Sequence, residues 1–81
     1  MGKYPTPKSI GAAIRRIRES KNLDAKDIGI YALGYPMEKA EAAQRKVSRI
    51  ECGDQKYPRL EELIRIATFL DVPLEEIIRP E

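Results

Sequence analysis

The chain has 81 residues, enough for one domain and no more. Fifteen Lys and Arg stand against thirteen Asp and Glu, a net charge of +2, and with 42% apolar and 35% charged residues the composition suits a small packed core and excludes a disordered chain. A single cysteine and the absence of histidine exclude an internal disulfide, a tetrahedral zinc site and any nucleophile activated by imidazole.

No apolar stretch reaches the roughly 18 residues of a membrane span, and none has the form of a signal-peptide core. The expectation is a cytoplasmic binding module without membrane partner, cofactor, metal or catalytic activity. The charge is uneven. Residues 1–23 carry six basic and one acidic group, and residues 54–81 carry four basic and seven acidic groups. An anion-binding face opposite a solvated one would produce this pattern, as would ordinary surface charge.

Residues 1–8 contain two prolines and no apolar period, and read as a basic extended arm ahead of a domain at 9–81. Ser9 is a candidate helix cap. Ile10, Ala13, Ile14 and Ile17 then recur at helical spacing. Asn22, which tolerates the left-handed conformation, suits the end of this helix.

Asp24 can cap a second helix, with Asp27 in its acidic first turn. Ile28, Tyr31 and Ala32 form its expected inward stripe, with Leu33 beside them. Gly29 either weakens this helix or marks a close helix crossing. Gly34-Tyr35-Pro36 reads as a stop followed by a start.

Residues 37–51 are rich in strong helix formers. Ala40, Ala43, Val47 and Ile50 share one side, and Glu38, Glu41, Arg45, Ser48 and Arg49 lie largely on the other. Gly53 ends this helix. Pro58 opens a fourth, with Leu60, Leu63, Ile64, Ala67 and Leu70 as its stripe. Pro73 starts a short fifth containing Leu74, Ile77 and Ile78. Cys52 reads as a small packed side chain, Tyr31 as core, and Tyr35 and Phe69 as exposed rings. No alternating run competes as a strand, so the expected class is all-α.

The polar side of the third helix carries Gln44, Arg45, Lys46, Ser48 and Arg49. Arg can donate two hydrogen bonds to guanine and Gln can pair with the edge of adenine. A solvated face would have the same composition.

Three segments, in order and spacing, carry a resemblance: Ile14-Arg15-Arg16-Ile17-Arg18-Glu19-Ser20-Lys21-Asn22-Leu23, then Val47-Ser48-Arg49-Ile50-Glu51-Cys52-Gly53, then Tyr57-Pro58-Arg59-Leu60 through Leu70-Asp71-Val72-Pro73 to Ile78. Over roughly residues 9–79 the chain resembles the lambda-repressor-like helix-turn-helix family, including the XRE-type regulators. The resemblance implies a five-helix domain that binds double-stranded DNA as a transcriptional regulator, with helix 3 in the major groove. It implies base contacts from Gln44, Arg45 and Arg49, flanked by Lys46 and Ser48, and phosphate contacts from Gln55, Lys56 and Tyr57 in the following loop. It implies an ion pair between Arg18 and Glu51. It also implies a homodimer, for which helix 5, Phe69 or the segment around Tyr35 is available.

The sequence departs from the family in two ways. Ala25 stands where a polar residue early in helix 2 usually meets a phosphate. Between Gly34 and Val47 the chain is about seven residues longer than usual, so Tyr35–Glu41 reads as an insertion between helices 2 and 3. Pro36 and the breaker-free run after it predict one continuous helix from Pro36 to Cys52, with Glu41 able to pair with Arg45 four residues on. A flap along the DNA backbone is the other form open to the insertion. The alternative function is a protein-interaction or antitoxin-like module on the same scaffold, with its partner held through Tyr35, Met37 or Phe69.

Overall fold

Helix α1 runs from Pro7 to Ser20 in the computed structural model, which describes residues 6–54 and 58–78. Its cap is Thr6, not Ser9. The Ser9 N–H donates to Thr6 Oγ1 at 3.0 Å, and the Thr6 N–H donates to Ser9 Oγ at 2.8 Å, so the two hydroxyls satisfy each other's backbone in a capping box. Pro7, whose fixed φ suits the first helical position, is therefore inside the helix. Of the expected extended arm, Thr6 is extended but Pro7 and Lys8 are helical, and residues 1–5 lie outside the described ones.

Ile10, Ala13, Ile14 and Ile17 are all buried, as their spacing predicts. Asn22 adopts the left-handed conformation at φ 57°, and the Leu23 N–H returns to the Arg18 carbonyl at 3.1 Å. Asp27 accepts from the Asp24 N–H at 3.0 Å at the start of α2. This helix spans Ala25–Asp27 and continues as a π-helical stretch over Ile28–Ala32, where the Leu33 N–H reaches back five residues to the Ile28 carbonyl at 3.1 Å.

The π stretch accounts for the position of Tyr31, which is 61% exposed rather than core. A π turn holds more residues than an α turn. Residues four apart come close to alignment, so Ile28 and Ala32 stay inward while Tyr31 swings away. Its ring stacks on Phe69, with centroids 5.9 Å apart and planes 17° apart.

Gly34, at φ 83°, turns the chain. Pro36 is extended, and Met37–Lys39 form a separate 3₁₀ turn. Helix α3 begins only at Ala40 and ends at Cys52. The expected continuous helix from Pro36 is thus broken at Lys39, whose φ of −110° and ψ of 35° are not helical. Residues 36–39 are all exposed, so no packing supports their helix propensity.

Gly53 closes α3 at φ 74°. A Cβ there would lie 2.7 Å from Lys8 Cγ and 2.9 Å from Lys8 Cα. The left-handed conformation alone costs a side-chain-bearing residue about 1–2 kcal/mol. Gly53→Ala is expected to destabilise by at least that amount in urea unfolding, and an unchanged midpoint would contradict the close approach.

Helix α4 covers Leu60–Leu70 and buries Leu63, Ile66, Ala67 and Leu70. Leu60 and Ile64, expected on its inward stripe, are 60% and 48% exposed; the buried stripe is rotated to include Ile66. Asp71 ends the helix at φ 59°. The expected fifth helix is a single 3₁₀ turn, Leu74–Glu76, after which Ile77 is fully buried. The described residues are thus all-helical without a strand, with four helices instead of five. Isoleucine dominates their core: Ile10, Ile14, Ile28, Ile50, Ile66 and Ile77 meet there with Val47, Leu63 and Leu70. None of their helices is long and apolar enough to cross a membrane.

Candidate functional site

Helix α3 is held from behind at three points. Ala43, Val47 and Ile50 are buried at four- and three-residue spacing. Near its start, Gly29 of the π stretch lies so close that an added Cβ would be 2.5 Å from Ala43 Cβ. Near its end, Gly11 of α1 faces the backbone of the last turn, and an added Cβ would meet the Ile50 carbonyl oxygen and lie 2.5 Å from that of Glu51. Both glycines mark crossings that admit no side chain.

The third point is ionic. Arg18 Nε donates to Glu51 Oε2 at 2.7 Å and Arg18 Nη2 to Glu51 Oε1 at 3.0 Å. Arg18 Nη1 donates to the Leu23 carbonyl at 2.8 Å. The side chains are 14% and 7% exposed. The hydrogen bonds to Glu51, opposed by burial, hold the guanidinium above its ordinary pKa, so it remains charged at any working pH. One side chain thus ties α1, the loop before α2 and the end of α3 together.

This anchoring fixes what α3 shows to solvent. Glu41, Gln44, Arg45, Ser48, Arg49 and Cys52 are exposed, and Lys46 is half-buried at the flank. Cys52 is a free exposed thiol, not a packed side chain. Together with Tyr35 of the preceding loop, Glu41, Ala42, Gln44, Arg45, Lys46, Ser48 and Arg49 line an open concavity. A second concavity adjoins it, lined by Arg18, Asp24, Ala25 and Lys26 on one side and Gln44 and Ser48 on the other. Gln44 and Ser48 therefore form a ridge between two hollows.

Of the sequence-derived residues, the structure brings Gln44, Arg45, Lys46, Ser48 and Arg49 onto one surface. Gln55, Lys56 and Tyr57 lie outside the described residues. Two further residues join this surface. Lys26 borders Gln44 and Ser48 from the first turn of α2, and Tyr35 borders the basic side. Lys26 follows Ala25, so the start of α2 still offers a cation beside α3 despite the missing polar residue.

Setting aside the neutralised Arg18, the two hollows carry four cations, Lys26, Arg45, Lys46 and Arg49, against two carboxylates, Asp24 and Glu41. Among the described residues none of these four cations holds an ion pair, and the pair between Glu41 and Arg45 is not formed. The basic excess of residues 1–23 contributes less to any face than its count suggests: Arg18 is spent on Glu51, and Arg15 pairs with Glu19 at 3.2 Å. Among the described residues no three His, Cys, Asp or Glu side chains cluster to hold a metal.

No protein family, curated protein or solved structure matches the chain.

Proposed function

We propose that the chain binds duplex DNA sequence-specifically as a transcriptional regulator of the lambda-repressor-like kind, without catalytic activity. The observation that carries this reading is a helix held on one side whose other side offers Gln44, Arg45, Ser48 and Arg49, with neither guanidinium group in an ion pair among the described residues. A helix rises 1.5 Å per residue, so the five steps from Gln44 to Arg49 span about 7.5 Å, close to two base-pair steps of about 3.4 Å. Arg45 and Arg49 then suit guanines and Gln44 an adenine, while Lys26 and Lys46 suit the flanking phosphates.

One turn of α3, Ala40–Ala43, precedes Gln44 and adds about 6 Å to the leading end of the helix. The continuous helix from Pro36 would have added more. Ala40 and Ala42 keep this turn narrow beside the exposed Glu41, and the 3₁₀ turn before it supplies Lys39 near the backbone.

Duplex binding should weaken with salt, since each phosphate neutralised contributes about −0.9 to the log–log slope. Lys26→Ala and Lys46→Ala should each reduce that slope by about 1 and weaken all duplexes alike. Titration of labelled duplexes at several salt concentrations checks this, and no binding at 50 mM salt (roughly the low end of such series) would sink the DNA reading. The second reading, a protein-interaction module, draws on Met37, which is 66% exposed in the insertion. It gains if a folded Met37→Ser variant keeps full duplex affinity and loses a protein partner.

A further inference from the structure

We propose that Glu41 is a further base-reading residue, which selects cytosine about two base-pair steps ahead of the position that Arg45 meets. The inference rests on α3 reading duplex DNA and deepens that reading. The first turn of α3 is Ala40-Glu41-Ala42-Ala43. Ala43 is buried and Ala40 and Ala42 are half-buried, so Glu41 is the one polar side chain that this turn presents. It is exposed and lines the same hollow as Arg45, Lys46 and Arg49. Glu41, Arg45 and Ser48 follow one another at four- and three-residue spacing, one line along the outer side of the helix. Among the described residues Glu41 holds no ion pair, although Arg45 lies one turn on. Its carboxylate is open to a donor from outside the chain.

A carboxylate only accepts hydrogen bonds, and this decides which base edge suits it. In the major groove cytosine offers its N4 amino group, a donor with no acceptor beside it. Guanine offers two acceptors, N7 and O6, and thymine the acceptor O4, so both would face the carboxylate with like partial charge. Adenine has a donor at N6 but sets the N7 acceptor beside it. Of the four, cytosine alone suits Glu41 without a repulsive neighbour. Arg45 has the opposite requirement, because a guanidinium only donates and the two acceptors of guanine suit it. Four residues of helix rise about 6 Å, near two base-pair steps of about 3.4 Å. The two side chains therefore meet different base pairs and demand opposite chemistry of them. Rejection of wrong bases gives specificity as surely as affinity for the right one. The carboxylate also opposes nearby phosphates, so what it contributes is choice among bases and not affinity.

Selection from a random duplex pool with the parent chain, Arg45→Ala, Glu41→Gln and Glu41→Ala, followed by titration of the selected duplex, tests the proposal. The parent should enrich a cytosine about two base pairs from the guanine whose preference Arg45→Ala relaxes. Glu41→Gln gains an amide donor for adenine N7 and should turn that cytosine to adenine. Glu41→Ala should relax that position alone. N4-methylcytosine supplies a second readout, because in a pair with guanine its methyl group replaces the hydrogen that faces the major groove. Placed at the selected position, it should weaken the parent about tenfold, the worth of one hydrogen bond to a charged group, and leave Glu41→Ala unaffected. Circular-dichroism melts confirm that each variant is folded. A parent motif that both folded Glu41 variants enrich unchanged overturns the proposal and leaves the DNA reading standing. Relaxation at the guanine of Arg45, instead of at a separate position, also overturns it, because Glu41 would then act by orienting Arg45. If the parent enriches no motif, the DNA reading itself falls and this inference falls with it.

Discussion

Glu51→Ala is expected to destabilise the fold by about 3–5 kcal/mol, the usual result of stranding one partner of a buried ion pair. The pair is part-buried, which puts this variant at the lower end of that range, and its bonding keeps it within the range. Glu51 accepts two charge-assisted bonds from one guanidinium, at 2.7 and 3.0 Å, and such bidentate pairs are the stronger kind. A buried lysine could escape by losing its proton, but arginine cannot. The stranded Arg18 would keep the hydrogen bond to the Leu23 carbonyl and the charges of Glu19 and Asp24 near it. A domain of this size has a total stability of roughly 4–12 kcal/mol, so the loss is a large fraction of the whole. Each kcal/mol moves the melting midpoint of such a domain by about 4–8 °C, and a thermal melt should show a fall of more than about 12 °C. A midpoint within two degrees of the parent would mean that the pair does not bear on stability. Glu51→Gln, which keeps an acceptor without the charge, should fall between the two.

Gly11→Val should be nearly as damaging. The first added carbon would meet the Ile50 carbonyl oxygen and lie 2.5 Å from the Glu51 oxygen and 2.7 Å from the Glu51 carbonyl carbon. All three are backbone atoms of α3, so no side chain can rotate to make room. Overpacking of this kind costs about 1–3 kcal/mol and sometimes more, and the roughly 0.3–0.5 kcal/mol of helix propensity that valine gains over glycine offsets little of it. Opening the crossing would also draw Glu51 away from Arg18. The two substitutions should therefore be non-additive: Gly11→Val should cost less in a Glu51→Ala background than alone, by about 0.5 kcal/mol or more. Additivity in urea unfolding of the four proteins would separate the crossing from the ion pair.

These two contacts mark where the sequence stops being readable. The stripe Ile10, Ala13, Ile14 and Ile17 is visible in spacing alone, because a helix with one buried face must repeat its apolar residues every three to four positions. Asn22 and Gly53 are visible because few residues accept positive φ. The errors have a common cause in packing. Residues 36–39 have the propensity for helix but nothing to pack against, and local preference without burial does not hold a helix. Tyr31 fits an α stripe and misses a π one, and periodicity does not distinguish the two. Helix α4 has more apolar residues than its buried face can use, so spacing alone does not say that Ile66 goes in while Leu60 and Ile64 stay out.

The candidate site was partly legible for a similar reason. Gln44, Arg45, Ser48 and Arg49 lie within two turns of one helix, and their shared face follows from helical geometry. Arg18 and Glu51 are 33 residues apart, and without the family resemblance nothing local links them. Lys26 joins the surface only because Gly29 lets α2 and the π stretch lie against Ala43. Sequence gives the glycine two meanings, and only the packed structure shows which applies.

The most direct test of the reading role of α3 is selection from a random pool of DNA duplexes, run in parallel with the parent chain, Arg45→Ala and Arg49→Ala. The parent should enrich a defined motif. Each variant should relax the preference at one base position while keeping the rest, because a lost Arg–guanine pair removes about 1–3 kcal/mol of discrimination at that position. If the parent enriches no motif, or if both folded variants enrich the parent's motif unchanged, the outer face of α3 does not read DNA.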